Sequence, residues 1–104
     1  MTKKNKTIIK LRRNILHAAY KAKEGHIPSA LSILDIIWVL YDQVLTPKDR
    51  FILSKGHACL ALYLILMDLG FISDEMFHSY GENGGLGGQL DINIPGVDWN
   101  TGSL

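Results

Sequence analysis

Two histidines that each follow a glycine are the side chains of this sequence best placed to do chemistry: His26 after Gly25 and His57 after Gly56. Imidazole has a reference pKa of about 6.5, so it can donate and accept protons near neutral pH. His57 also stands where a strand-like run passes into a helical pattern, and the N–H groups and dipole of a helix start attract anions such as phosphate. Taken alone, each histidine fits an ordinary surface or core position better, so both interpretations stay open here.

The other histidines and the glycine-rich segment give weaker indications of a functional site. His17 lies within an amphipathic helical pattern and His78 at a polar helix end, and both are predicted to be structural. Four histidines and one cysteine lack zinc or haem spacing, so no metal site made by this chain alone is expected. The glycine-rich segment 81–88 does not match GxGxxG, and neither a Walker A motif nor a GxSxG motif occurs. The sequence therefore gives no support to a dinucleotide-binding protein, a P-loop protein or a serine hydrolase.

The elements that position the histidines begin with two helices. Apolar residues recur every three to four positions and predict a first helix that ends at Gly25. The segment 26–30 contains a proline and is predicted to be a loop. Ser32, three residues before Asp35, looks like a capping box and is predicted to start a second helix that runs through Leu40. This helix is apolar nearly all round and is expected to be buried.

The second half of the sequence predicts a strand, a tight turn and a helix. The apolar run 51–53 favours a buried strand of a parallel sheet, and the pattern from His57 onward favours a helix that stops at Gly70. Ser73 is predicted to cap one more short helix, and regular structure is expected to fade over residues 81–104. Together these patterns indicate one α/β domain.

Composition limits the classes of partner. The chain has 104 residues, 47% of them hydrophobic, and Lys plus Arg number 11 against 10 for Asp plus Glu. This balance gives no electrostatic reason to bind nucleic acid or an acidic membrane. The longest apolar stretch, 58–67, is short of the roughly 20 residues that span a bilayer, so no membrane segment is expected. A single cysteine and the lack of a signal-peptide pattern predict a cytoplasmic protein.

Three stretches, in order along the chain, resemble the N-terminal part of transketolases. They are Gly25–His26 with Ser32, Asp35, Ile36, Leu40 and Tyr41, then the run Asp49–Ala58 with Leu62 and Tyr63, and then Pro95–Val97 with Thr101–Leu104. The resemblance implies an α/β fold, the N-terminal part of a thiamine diphosphate-binding fold, mostly helical here with one or two short parallel strands. Residues 1–104 would then form part of the diphosphate-binding domain.

The resemblance also implies site residues. His26 would be catalytic and would bind substrate near the reacting carbons, and His57 would be catalytic and would contact the cofactor diphosphate. Gln89 stands where transketolases usually have a histidine and is expected to bind substrate without shuttling protons. The loop after His26 also departs from the family's Pro-Gly-Gly. The cofactor ring is expected against the last residues: Gly102, Ser103 and Leu104.

The activity implied is the transfer of a two-carbon ketol unit between sugar phosphates, with thiamine diphosphate and Mg²⁺ as cofactors. The sequence stops at Leu104, before the motifs that hold Mg²⁺ in the family, so its ligands are expected outside this chain. The chain alone is expected to be an inactive fragment. It would need a homodimer partner or a complementary chain that carries the rest of the site.

Two alternatives stay open from the sequence. One is a non-catalytic truncated homologue that uses its apolar helices, residues 34–40 and 60–69, as an association surface. The other is a component of a different thiamine diphosphate enzyme.

Overall fold

The chain forms a helical layer joined to a small parallel sheet in a computed structural model that describes residues 3–23 and 25–100. The elements, in chain order, are α1 (Lys3–Ala22), α2 (Ile27–Val39) with a π-helical extension (Leu40–Val44), β1 (Ile52–Leu53), a 3₁₀ turn (Gly56–Ala58), α3 (Cys59–Asp68), α4 (Asp74–His78) and β2 (Trp99–Asn100). The predicted class, α/β and mostly helical with short parallel strands, is confirmed.

Helix α3 forms the centre of the core. Every residue from Cys59 to Leu66 is buried, as expected for a helix that is apolar all round. The helix packs against α1, α2 and α4. The start of α3, where His57 lies, is therefore fixed by the best-packed element of the domain.

Helix α1 ends earlier than predicted. Its last residue is Ala22, and Lys23 takes a left-handed backbone conformation with a φ of 57°. A left-handed residue directly after a helix is a common way to end it. Gly25 also has a positive φ, 127°, and carries the chain into His26.

The predicted loop at 26–30 is wrong, because α2 already begins at Ile27. Pro28 occupies the first turn of this helix, where the missing N–H has no intrahelical partner to lose. The predicted cap at Ser32 is wrong for the same reason. Its hydroxyl instead donates within the helix to Ser29 O, at 2.9 Å.

Helix α2 is not buried on all sides. It turns Ala30, Leu34 and Ile37 into the core, whereas Ile36 is 59% exposed. The predicted burial is therefore wrong for one side of this helix, where Ser32, Asp35 and Ile36 meet solvent.

The two strands pair in parallel, with Ile52 opposite Trp99 and Leu53 opposite Asn100. The Phe51 N–H donates to the Asp98 carboxylate at 2.7 Å, and this bond extends the contact between the two strands by one residue. The predicted strand is confirmed. Of its two residues only Leu53 is buried, since Ile52 is 52% exposed.

Two local signals in the second half are confirmed. Gly70, just beyond α3, has a φ of 88°, and the Ser73 hydroxyl accepts the Met76 N–H at 3.0 Å to cap α4. From 81 to 98 the chain follows turns and bends, as predicted.

Helix α2 and its extension, Ile27–Val44, reach the length and apolarity of a membrane span, with a mean hydropathy of 1.3 over 18 residues. Uninterrupted apolar runs in the sequence do not reveal this segment, because polar residues divide it. Asp35 and Asp42 interrupt this segment, and Asp35 is paired with Arg12 of α1 at 2.8 Å. Acidic side chains are costly inside a bilayer, and α2 packs on α1 and α3. That the chain has no membrane partner stays a prediction.

Candidate functional site

The structure brings His26 and His57 together. Their ring centroids lie 5.1 Å apart with the planes at 73°, an edge-to-face arrangement. His26 is exposed and His57 is half-buried, so the pair opens to solvent on one side. Two imidazoles at this separation can contact one small ligand, each as donor or acceptor.

Each histidine sits at the start of a helix. His26 directly precedes α2, and its carbonyl oxygen accepts the Ala30 N–H at 3.0 Å. His57 lies in the 3₁₀ turn that leads into α3, a turn closed by the Ala58 N–H donating to Lys55 O at 2.8 Å. Both helix starts thus lie beside the histidine pair, and the N–H groups of a helix start favour an anion.

Lys55, two residues before His57, supplies a positive charge next to the turn that carries this histidine. The Lys55 ammonium donates to the Ser32 hydroxyl at 3.0 Å and to Ser29 O at 3.5 Å. Within residues 3–23 and 25–100, Lys55 forms no ion pair with a carboxylate. Sequence reasoning missed this lysine, although its place two residues before His57 in the Ser-Lys-Gly-His motif was an available signal.

Tyr63 holds residues 81–98, the glycine-rich tail, against α3. Its hydroxyl donates to Gln89 O at 3.3 Å and accepts the Asp91 N–H at 2.9 Å. Burial raises the pKa of Tyr63 well above its ordinary value, and the Asp91 N–H offsets only part of that rise. The hydroxyl therefore stays neutral and remains a donor across the physiological range.

Two more contacts tie the tail to the start of α3. The Leu90 N–H donates to Gly56 O at 3.2 Å, and the Cys59 thiol donates to Gly87 O at 3.6 Å. Gln89, predicted to bind substrate, is thereby held through its backbone beside the turn that carries His57, and it is exposed. Cys59 and Tyr63 are four residues apart on one helix face, a spacing that could have revealed this shared role.

Cys59 is not a nucleophile. Burial raises the pKa of its thiol to about 12, and its side chain is 0% exposed. A protonated, enclosed thiol reacts slowly. Its role is to pack and to donate one weak hydrogen bond.

The remaining predicted residues lie elsewhere. His17 is exposed on α1, and His78 is exposed at the end of α4 with its ring 5.5 Å from that of Phe77. The predicted ring contacts of Gly102, Ser103 and Leu104 lie outside the described residues. No group of three or more His, Cys, Asp or Glu side chains that could hold a metal occurs in the described part of the chain.

Comparison with known proteins defines the class. The family described as the transketolase thiamine diphosphate-binding domain matches residues 3–103, so the chain belongs to this family. The resemblance seen in the sequence is confirmed. The family is one of cofactor-binding domains, and the paired histidines lie in its matched region.

Three relatives illustrate the similarity. The chain is 41% identical to one subunit of the apulose-4-phosphate transketolase of Phocaeicola vulgatus, over 91% of this chain and 37% of that protein. It is 37% identical to ferredoxin fas2 of Rhodococcoides fascians, over 81% of this chain and 31% of that protein. It is 30% identical to chloroplastic transketolase-1 of Arabidopsis thaliana, over 96% of this chain and 15% of that protein.

The chain thus spans between 15% and 37% of the length of these relatives. No solved structure matches it significantly.

The described residues fit the diphosphate end of such a cofactor. His57 offers a donor beside the start of α3, and Lys55, bonded to Ser32 and to Ser29 O, adds a positive charge two residues before it. Charged donors at a helix N-terminus are a common arrangement for binding phosphate groups. The same residues do not fit a magnesium ion, which needs oxygen ligands in near-octahedral geometry.

Proposed function

We propose that this chain forms the diphosphate-binding end of a transketolase site that transfers a two-carbon ketol unit between sugar phosphates. The observation that carries the proposal is the His26–His57 pair, with ring centroids 5.1 Å apart, inside the region that matches the cofactor-binding family. Thiamine diphosphate, when bound, would supply the electron sink for breaking the carbon–carbon bond.

Each side chain of the pair has a distinct part in the proposal. His57, half-buried at the start of α3, donates to a diphosphate oxygen. His26, more exposed, meets the sugar and donates to or accepts from its hydroxyl groups as charge develops there. A histidine suits this step because both of its protonation states are populated near neutral pH.

Gln89 would bind a sugar hydroxyl on the same side. Its amide can donate and accept hydrogen bonds but does not exchange protons near neutral pH. We therefore propose that Gln89 contributes to the choice of sugar and that proton transfer is left to the histidine pair.

Further polypeptide would complete the site. We propose that Mg²⁺ is bound through ligands outside the described residues, which lack a suitable cluster. One relative is named as a subunit of its transketolase, which supports association of this chain with a complementary chain or, alternatively, with a second copy. The buried, protonated cysteine suits the reducing cytoplasm that we propose as its location.

A groove beside His26 offers a surface for such association. It has a volume of about 470 Å³ and is mainly apolar. Leu16 and Tyr20, which line it, are 47% and 83% exposed. Gly25 and Ile27, the neighbours of His26 in the chain, also line the groove, so a partner seated there would lie beside the site.

The alternative of a non-catalytic association module relied on two apolar segments, 34–40 and 60–69, and most of the second is buried. Residues from Leu60 to Leu66 are buried in the core and offer no association surface. The segment 34–40 offers mainly Ile36. The relatives named as transketolases also do not favour a purely structural role.

Calorimetric titration with thiamine diphosphate and Mg²⁺, alone and with a complementary chain, tests the proposal. We expect binding with the complementary chain, and a weakening of about tenfold or more in His57→Ala, because one charge-assisted hydrogen bond is worth about 1.5–3 kcal/mol. His17→Ala, on the exposed face of α1, is the matched control and should bind as the wild type does. Absence of heat under every condition would refute the proposal.

A further inference from the structure

The side chain of Lys55 connects the two segments that carry the histidine pair. Its ammonium lies 3.0 Å from Ser32 Oγ and 3.5 Å from Ser29 O. Both serines belong to the first turns of α2, which begins directly after His26, whereas Lys55 precedes His57 by two residues. One lysine therefore spans the gap between the segments.

The orientation of these groups is determined by a third bond. The Ser32 hydroxyl donates to Ser29 O at 2.9 Å, which uses its proton and leaves its lone pairs facing the lysine. Lys55 is half-buried and lacks a carboxylate partner in the described ranges, so these neutral oxygens are the acceptors that the structure gives its ammonium. Charge-assisted bonds in such a closed network are stronger than isolated neutral ones.

We propose that Lys55 is a positioning residue that holds His57 against His26. The turn that carries His57 is closed by the Ala58 N–H and joined to the glycine-rich tail through Gly56 O. Neither bond reaches α2, and the Lys55 ammonium is the group that crosses to it. Helix α2 also packs on α3, and the bonds of Lys55 fix the two segments locally, where the rings lie 5.1 Å apart.

A role of Lys55 in catalysis rests on the proposed function, but its hydrogen bonds to α2 do not. A ligand held by both imidazoles needs them at one separation, and displacements near 1 Å can cost about 10²-fold in rate. Helix α2 would still pack on α3 without the lysine, but the hydrogen bonds that join the first turns of α2 to the turn before α3 would be lost. The histidines would then remain present but no longer act as a pair.

The nuclear Overhauser effect between the ring protons of His26 and His57 tests the proposal in the full chain without any cofactor. We expect the cross-peak to be lost in Lys55→Met, which keeps the length of the side chain but removes the donor. Lys55→Arg retains a cation of similar reach and should restore the cross-peak. Lys48→Met, in the exposed turn before β1, is the matched control and should leave it unchanged.

Ser32→Ala makes the test independent of any folding defect in the lysine variants. Alanine favours a helix more than serine does, so α2 should stay intact while the nearer acceptor is removed. We expect a weakened cross-peak in this variant. A wild-type cross-peak in folded Lys55→Met or in Ser32→Ala would overturn the proposal.

Cofactor titration separates this inference from the proposed function. If thiamine diphosphate binds equally well to the wild type and to Lys55→Met, and the cross-peak is unchanged, the positioning role fails while the proposed function stands. If the cross-peak is lost as expected but the cofactor never binds, the tie is real and the proposed function fails. If the positioning role and the proposed function are both correct, Lys55→Met should bind the cofactor about tenfold more weakly, and Lys55→Arg should recover the affinity.

Discussion

Tyr63 shows at the residue scale how one buried hydroxyl can organise an irregular segment. It is 0% exposed and bridges the carbonyl of Gln89 and the N–H of Asp91. The tail that carries Gln89 has little secondary structure of its own, so side-chain contacts of this kind determine its path. The position of a proposed substrate-binding residue therefore depends on a side chain from the core.

Tyr63→Phe should release this tail. Both backbone partners lose a hydrogen bond while the ring still fills the core, so we expect the free energy of unfolding to fall by about 1–2 kcal/mol. The Asp91 amide should also exchange its hydrogen faster. Urea denaturation and amide exchange measure the two effects. Tyr20→Phe, at a site 83% exposed, should change neither, and equal exchange in both variants would contradict the assignment.

Cys59 makes stability depend on pH in the alkaline range. Burial raises the thiol pKa from 9.0 to about 12 in the folded state, so the folded protein retains a proton that the unfolded chain releases. The stabilisation is complete below the unfolded value and is lost as pH rises from about 9 through the folded value. Cys59→Ala has no such group and should lose less stability between pH about 8 and about 11. Urea midpoints at both pH values give the comparison, and parallel losses would count against it.

Glycines in the tail show at the element scale where backbone geometry limits sequence. Gly81 and Gly84 both have positive φ, 83° and 78°. A Cβ at Gly81 would press on Ala22 at the end of α1, with the Ala22 Cα only 3.2 Å away, whereas a Cβ at Gly84 meets nothing within 4 Å. The tail thus packs tightly on α1 at one glycine and turns in open space at the other.

Gly81→Ala should therefore destabilise more than Gly84→Ala. Both variants carry the cost of a left-handed alanine, about 1–2 kcal/mol, and Gly81→Ala adds a backbone clash that we expect to cost at least about 1 kcal/mol more. Thermal unfolding of the two variants side by side tests this. Equal melting temperatures would mean that the tail does not pack on α1 in solution.

Local signals explain how much of these elements the sequence could predict. Gly70 and Ser73 act on their own neighbours, so a helix ends at the first and begins at the second, as their residue types indicate. Pro28 was misleading because proline fits both a loop and the first turn of a helix. The strand at 99–100 is too short to show a pattern and forms through pairing with β1.

Site contacts were harder to predict than elements. The bonds of Lys55 to α2 cross 23 and 26 residues of sequence, and that from Tyr63 to Gln89 O also crosses 26. No periodic pattern encodes contacts over such distances. His57 could be selected because a glycine, a predicted helix start and a motif coincide there, and His26 because it follows a glycine within a motif, whereas the residues that orient them could not.

The surface of the whole molecule carries several large apolar side chains that are exposed. Tyr20, Ile36, Ile52 and Trp99 are each more than half exposed, and they lie on α1, α2 and the sheet. Parallel sheets are normally covered on both faces, and a pair of strands with exposed Ile52 and Trp99 is not. These surfaces are consistent with a domain that is covered by further polypeptide in its working state, as we propose.

Charge placed in the groove beside His26 should reduce association. Leu16→Lys with Tyr20→Lys alters two exposed positions, so we expect little change in stability and a lower weight-average sedimentation coefficient at high protein concentration. His17→Lys, on the same helix, adds charge outside the groove lining and serves as control. Identical sedimentation of the double variant and the wild type would show that this groove is not an association surface.

The pairing of β1 with β2 also has a consequence for biosynthesis. Phe51 and Asp98, which lie next to the paired residues, are 47 positions apart, so the strands can meet only after nearly all of this segment has left the ribosome. Helices depend on nearby residues and can form early, whereas distant pairings raise the contact order and slow their own formation. Ser54–His57, which directly follow β1, would therefore take their final place only after β2 has left the ribosome, well after the helix that follows His26 has been made.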